Sequence, residues 1–393
     1  MSKFKFAALI SGVCLMSVLF YGIGFSQSPK STVRLITEPP SSQILPFEAE
    51  AATPLGSNQP QSPVRLTFSA LDASGQSLEN AQVHLQILTP PKNPLFPTDF
   101  PIVEGTELLN VKAIAPTGKL QVQQMLPIRG TYQLLVNVTP TVANAFTPIQ
   151  QTLKLSIPEN QLKYRYFGMI AIVLLVVGLG GGLVIGGKQQ RQLGEIAPER
   201  VRLLLSGVTI VAIATLLAVN FSAEIAESHT HGHHHEHQSQ TADVPATRQS
   251  QGLELKLSGD DQATVGQPAN LAVTVIDTKT RQPATDVVLN VKATQLEDNW
   301  LAFAYQGVPD ATGKFQWQQQ FFDGAPHKVE VEVSPQPNAA RSFQPFQVAQ
   351  EIEVEPVAPP LLTRLIVLAY FTAIVVFGLV LGLWLKRRRL ARQ

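Results

Sequence analysis

Thr312–Pro335 reads TGKFQWQQQFFDGAPHKVEVEVSP, and Thr117–Pro140 reads TGKLQVQQMLPIRGTYQLLVNVTP. Aligned without a gap, the two are identical at nine of 24 positions, and Leu120/Phe315, Leu134/Val329 and Thr139/Ser334 are conservative exchanges. Their offset of 195 residues is about half of the 393-residue chain. A repeat of that period means a tandem duplication, and it sets the architecture ahead of any other pattern. Within the later copy, Val329, Val331 and Val333 alternate with Lys328, Glu330 and Glu332. A strand with that alternation has one register, because a one-residue slip would bury both glutamates. Phe315 and Trp317 are expected to point inward. In the earlier copy Tyr132, Leu134, Val136 and Val138 share one face, and Lys119–Leu126 with Thr131–Val138 predicts a hairpin around Arg129-Gly130. Asp323-Gly324 is the matching hairpin turn.

Outward from these segments the period stays at two. Leu66, Phe68 and Ala70 alternate with Thr67 and Ser69 up to a turn at Asp72-Ala73-Ser74-Gly75. Strands are expected at Ala81–Leu88, Leu108–Ile114 and Thr152–Ile157, with a proline-rich loop over 89–105. The second copy repeats the scheme. Leu253, Leu255 and Leu257 alternate, Leu271, Val273 and Val275 run up to Asp277, Val287–Ala293 matches Ala81–Leu88, and Ile352 and Val354 end the set. Short alternating strands between Gly, Pro and Asp turns predict two immunoglobulin-like β-sandwich domains, at 63–158 and 252–355. Gln27–Ser62, rich in proline and serine, is expected to be an extended linker.

Four apolar runs flank these domains. Phe6–Phe25, Phe167–Gly187, Leu203–Val219 and Leu365–Leu385 carry no charged residue. Each is about long enough to cross a bilayer core of ~30 Å as a helix. The fold class is therefore membrane-anchored all-β, with four transmembrane helices at 6–25, 167–187, 203–220 and 362–385. Lys3 and Lys5 precede the first run, Lys188, Arg191, Arg200 and Arg202 occupy the loop 188–202, and a basic tail, Lys386–Arg389 with Arg392, fills 386–393. Under the positive-inside rule, both termini and that loop are cytoplasmic and both β domains lie outside the membrane. Gly24-Phe25-Ser26 would serve as a signal cleavage site. The length of the first run, and its pairing with the internal third run, favour a retained anchor. Gly178, Gly182 and Gly186 recur every fourth residue, as do Gly378 and Gly382. That spacing predicts close helix pairing, within one chain or between copies in a homo-oligomer. No Asp, Glu, Lys, Arg or His lies inside a run, which argues against a pump, channel or ion-coupled transporter.

Composition narrows the rest. A net charge of +1 provides no general field for nucleic acid. A single cysteine, Cys14, excludes intramolecular disulfides and cysteine-based zinc sites. No phosphate-binding glycine loop, G-x-S-x-G or H-E-x-x-H motif occurs, and no spacing nominates a catalytic carboxylate pair, so an enzyme is not expected. The strongest chemical signal is the tract 229–237: His229, His231, His233, His234, His235 and His237, six of the chain's eight histidines, with Glu236 among them. Neutral imidazoles in a flexible run can take zinc, nickel, cobalt or copper(II) without strict choice. The same tract is also readable as a solvated linker or a pH-responsive segment. His327 is expected at the surface of its hairpin, and His84 in a strand without an evident partner. Trp300, Phe303 and Tyr305 are expected as an aromatic cluster in the core or at an edge.

The run Asp310–Val333, with its T-G-K-F turn, aromatic strand, Asp-Gly turn and alternating valine strand, resembles bacterial membrane-anchored immunoglobulin-like domains of the YtkA-like and FixH-like kind. The resemblance covers about a hundred residues of each unit. It implies a domain that looks out from the membrane and is linked to metal handling, copper above all. Four methionines, Met1, Met16, Met125 and Met169, are few for copper(I). The expectation from the sequence is a non-enzymatic inner-membrane protein whose histidine tract captures or senses a divalent metal, beside a membrane transporter. The alternative is a structural subunit of an envelope complex, with the tract incidental.

Overall fold

In a computed structural model, residues 30–47, 63–185, 246–337 and 339–391 are described. The first half contributes β1 (Thr32–Glu38), β2 (Val64–Leu71), β3 (Ala81–Leu88), β4 (Glu107–Ala115), β5 (Lys119–Gln124), β6 (Gly130–Pro140) and β7 (Ile149–Ile157), followed by α1 (Gln161–Ile185). In the second half come β8 (Thr247–Ser250), β9 (Leu253–Gly259), β10 (Gln262–Thr264), β11 (Pro268–Asp277) and β12 (Val287–Gln295). Then follow β13 (Leu301–Gly307), β14 (Lys314–Gln320), β15 (His327–Pro335), β16 (Phe346–Glu355) and α2 (Leu361–Ala391).

Two eight-stranded sheets pack face to face, and each is built from both halves. One runs β1-β2-β5-β13-β12-β15-β16-β10, the other β7-β6-β3-β4-β14-β11-β9-β8. The reason lies in edges. Within the first half alone, β5 would end a three-stranded sheet and β4 a four-stranded one, each with a row of unpaired backbone groups. The second half leaves the equivalent strands, β14 and β13, equally bare. The halves therefore exchange edges: β5 pairs with β13, Gln123 opposite Ala304, and β4 pairs with β14, Val111 opposite Trp317. Each pairing is the repeat-related image of the other, which is the geometry of a two-fold dimer interface closed within one chain. One continuous buried cluster, from Val33 to Val354, fills the space between the sheets through both halves.

The alternation expected for the strands is present. In β15, His327, Val329, Val331 and Val333 are buried while Lys328, Glu330 and Glu332 face out. Phe315 and Trp317 are buried as predicted. The repeated Thr-Gly marks the tight link into β5 and β14. Gly118 and Gly313 have φ of 73° and 72°, and a side chain on Gly313 would come within 2.5 Å of the Val275 carbonyl oxygen. Only glycine fits both demands at no steric cost.

Two expectations are corrected. The segments around Arg129-Gly130 and Asp323-Gly324 are not hairpins. β5 and β6 lie in opposite sheets, as do β14 and β15. The chain arches from one sheet to the other there, because the apolar faces of both strands must meet across the core rather than side by side. Nor is the stretch 27–62 wholly a tether: Thr32–Glu38 forms β1, which pairs along its length with β2.

Of the four apolar runs, two are seen as helices. Lys163–Ile185 and Leu361–Arg389 are long and apolar enough to cross a membrane. Phe6–Phe25 and Leu203–Val219 lie outside the described residues. The observed helices run parallel and touch through their glycines. Any side chain on Gly178 or Gly182 would collide with the Val375 or Leu379 carbonyl. Reciprocally, one on Gly378 would sit 2.5 Å from the Leu175 oxygen. Small residues at this spacing let the backbones approach. The glycine faces, expected to pair within or between chains, here meet inside one chain. The outer faces stay apolar: Ile172, Val176, Phe377 and Val380 are more than half exposed.

Candidate functional site

The six histidines of the predicted metal tract, His229, His231, His233, His234, His235 and His237, lie outside the described residues. Among the described residues, no group of three or more His, Cys, Asp or Glu is placed to hold a metal ion.

Two surface grooves lie where the halves join. On the outer face of each sheet, the seam between the halves is a polar groove. One, of about 390 Å³, is lined by Gln121, Gln123, Lys292, Ala304, Gln306 and Glu330, among others, with Arg65 at its side. The other, of about 440 Å³, is lined by His84, Asn110, Lys112, Asn270, Gln316 and Gln318, among others. Gln316 and Gln318 are the repeat counterparts of Gln121 and Gln123, so the grooves are themselves a related pair. The outward positions of β5 and β14 carry amides, whereas the inward ones carry Leu120 and Val122, and Phe315 and Trp317, before buried Gln124 and Gln319 at the strand ends.

A hydrogen-bonded chain of side chains crosses the second groove. His84 Nε2 lies 2.8 Å from Asn110 Oδ1. Asn110 Nδ2 donates to Gln318 Oε1 at 3.3 Å, and Gln318 Nε2 donates to Asn270 Oδ1 at 2.9 Å. Asn270 donates from its backbone N and from Nδ2 to Asp260 Oδ2, at 2.7 and 3.1 Å. If Asn110 donates through Nδ2, its oxygen accepts, and His84 carries its proton on Nε2. His84 thus has a partner that the sequence did not reveal, in a strand on the same sheet. In the first groove, Asn290 Nδ2 donates to Glu332 Oε1 at 3.2 Å. Such surfaces offer donors and acceptors to a polar partner.

Carboxylates with lowered pKa sit in turns. Asp277 is held down to about 2 by the backbone N–H of Thr280 and of Lys279. Asp72 is lowered by the Ser74 hydroxyl and the Gln76 N–H. Both cap their own loops, so their shifts report structure.

The end of the β body nearest the helices is apolar and aromatic. Where β5 arches into β6, the Tyr132 hydroxyl donates to the Ile128 carbonyl at 2.8 Å and accepts from the Ile128 N–H at 3.0 Å. This corner, known from immunoglobulin-type sandwiches, ties the arch to the strand that follows. Its counterpart in the second half is His327. Expected at the surface, His327 is instead fully buried, because the arch turns it into the core. Its Nδ1 bonds the Ala325 carbonyl at 2.8 Å, and its Nε2 has no partner among the described residues. The ring packs on Phe321 at 4.4 Å and edge-on to Trp300 at 5.7 Å. Burial lowers its pKa to about 4. Burial also raises the pKa of nearby Asp323, whose Oδ2 accepts from Gln295 Nε2. The expected aromatic cluster divides. Trp300 stacks with Phe322 at 5.2 Å beside Phe47, whereas Tyr305 stacks on Phe315 at 4.2 Å and Phe303 on Trp317 at 6.1 Å.

No protein-family model matches the chain, so the likeness to YtkA-like and FixH-like domains rests on its strand and turn pattern alone. No curated protein matches either. Among solved structures, the Yersinia pseudotuberculosis adhesin InvE is 10% identical, with 83% of this chain and 61% of that one covered and a TM-score of 0.18. The D0-D1 domain of intimin is 12% identical over 74% of this chain and 90% of that one, with a TM-score of 0.17. Trypsin-activated alpha-2-macroglobulin from Escherichia coli is 10% identical over 79% of this chain and 17% of that one, with a TM-score of 0.21. This chain spans about three fifths of InvE and under a fifth of the macroglobulin. Scores this low carry no argument about the function of this chain.

Proposed function

We propose that the chain is a non-enzymatic structural protein of the bacterial inner membrane, whose β body stands outside the membrane as a docking element of an envelope assembly. The observation that carries this reading is the double seam. Two halves joined by reciprocal strand pairing, above two helices joined by reciprocal glycine contacts, make a stiff unit with a fixed relation to its anchor. The two outer grooves then present amides and charges at set positions to a partner protein. The basic residues Lys188 and Arg191 after α1 and Lys386–Arg389 at the end of α2 fit a cytoplasmic side opposite the β body.

The test is photo-crosslinking in cells, with a reactive amino acid at Gln121 or Gln316 and a control at exposed Val142. The reading expects one discrete envelope partner at the groove positions and none at the control. Identical adducts at all three positions, or none at any, would contradict it.

A second reading, capture or sensing of a divalent metal, is favoured by the density of histidine in 229–237. It is tested by equilibrium dialysis of the full chain with zinc, nickel, cobalt and copper(II), beside a variant with the six tract histidines changed to alanine. Submicromolar binding that vanishes in the variant supports metal capture. Weak binding, alike in both proteins, removes it.

A further inference from the structure

Residues 89–106, between β3 and β4, form a built loop at the end of the β body nearest the helices. Its base is closed by Thr89 and Thr106: the Thr89 hydroxyl accepts from the Thr106 N–H at 2.9 Å and donates to the Val103 carbonyl at 2.5 Å. Glu104, almost fully buried, holds the middle, since its Oε1 accepts from the Thr98 N–H and hydroxyl, each at 2.7 Å. Arg129 donates to the Phe96 and Pro97 carbonyls and pairs with Glu159, just before α1. Asp99 pairs with Lys163 on α1. With so many internal ties, the tip is nevertheless apolar and open: Leu95 and Phe96 are 59% and 61% exposed.

The position of that tip is the informative part. Tyr370 Oη of α2 donates to the Leu95 carbonyl at 2.7 Å, and the Phe96 ring stacks on Tyr370 at 6.3 Å. Tyr370 lies six residues beyond Arg364 along α2, a descent of roughly 9 Å at helical rise. The charges Lys163, Asp99 and Arg364 therefore lie on the β-body side of the tip. Leu95 and Phe96 are level with the start of the uncharged helix surface. The second half has no such loop, since only 296–300 link β12 to β13, with Glu297 and Asp298 among them.

We propose that the 93–98 tip is a membrane wedge: Leu95 and Phe96 insert into the outer leaflet beside α2, and the Asp99–Lys163 pair sits among the headgroups. The occupant of this apolar surface is lipid. Aromatic and aliphatic side chains favour that interface, and burial of their exposed surface in it stabilises the upright body. This proposal rests on the reading that the helix pair spans the bilayer.

The test uses the full chain with Cys14→Ser in phosphatidylcholine/phosphatidylglycerol nanodiscs. A nitroxide is placed in turn at Leu95→Cys, Phe96→Cys, Val376→Cys on the outer face of α2, and Val142→Cys at the far end of the β body. Collision with oxygen is compared with collision with a water-soluble nickel chelate. The expected result is an oxygen-to-nickel ratio at 95 and 96 shifted well above that at 142 and towards that at 376. Labels at 95 and 96 that behave like 142, while 376 remains protected, overturn the wedge and leave the spanning helices intact. A water-exposed label at 376 overturns both.

Discussion

His327 makes the second half of the protein acid-sensitive in a predictable window. Its imidazole is fully buried, bonded once through Nδ1, and its pKa falls from the ordinary ~6.5 to about 4 because burial penalises the charged form. The unfolded chain takes up a proton below pH ~6.5, while the folded chain takes it up only near 4. The contribution of His327 to stability is therefore complete above ~6.5, falls as the pH drops from there to ~4, and changes no further below that. At pH 5 the two values correspond to a loss of ~2 kcal/mol from this one group. With a urea dependence of ~2–3 kcal/mol per molar, the unfolding midpoint drops by roughly 0.7–1 M between pH 7.5 and pH 5. His327→Phe keeps the ring against Phe321 and Trp300 and removes the titration. The assay is urea unfolding of the full chain in nanodiscs, followed by tryptophan fluorescence at both pH values. Asp323, whose raised pKa works in the opposite sense, is common to both proteins. The variant is expected to lose less midpoint than the parent by that amount. Equal losses in the two would refute the assignment of acid sensitivity to His327.

Other consequences concern the corner and the helix pair. Tyr132→Phe strands the Ile128 N–H and carbonyl in the core, and is expected to cost about 1–3 kcal/mol in the same urea assay. An unchanged midpoint would mean that the corner is not tied. Gly182→Leu drives a side chain into the Leu379 backbone, whereas Gly180→Leu enters open space. The first should lower thermal stability in nanodiscs by an overpacking cost of about 1–3 kcal/mol and the second should not. Equal effects would contradict the observed helix contact.

Much of this architecture can be read from residues. The 195-residue repeat, the valine alternation of β15 and the four-residue glycine spacing all have visible counterparts in the fold. Periodicity shows which face of a strand is buried, but not which strand lies beside it. Hence Lys119–Leu126 and Thr131–Val138 resembled a hairpin, although their strands lie in opposite sheets. For the same reason the seam left no trace: β5 can pair with any free edge, and the one that closes both halves belongs to the other repeat. Burial of His327 was hidden because its pattern position fitted a core face while its chemistry suggested a surface. The repeat partner Tyr132, a residue that tolerates burial when its hydroxyl is bonded, was the available clue. The histidine tract, the strongest signal in the sequence, lies outside the described residues.

The joining of the two halves is the central claim, and disulfide trapping tests it most directly. In a Cys14→Ser background, Gln123→Cys with Ala304→Cys places two thiols at opposed positions of β5 and β13. Opposed residues of antiparallel strands lie ~4.5–5.5 Å apart between Cα atoms, within disulfide range. The pair Gln121→Cys with Ala304→Cys is offset by two residues, at ~7–8 Å, and serves as the control. Mild oxidation of the monomer in nanodiscs, followed by peptide mapping, should show the 123–304 link in high yield and little 121–304 link. Equal yields from both pairs, or no link from either, would contradict a shared sheet and leave two separate sandwiches.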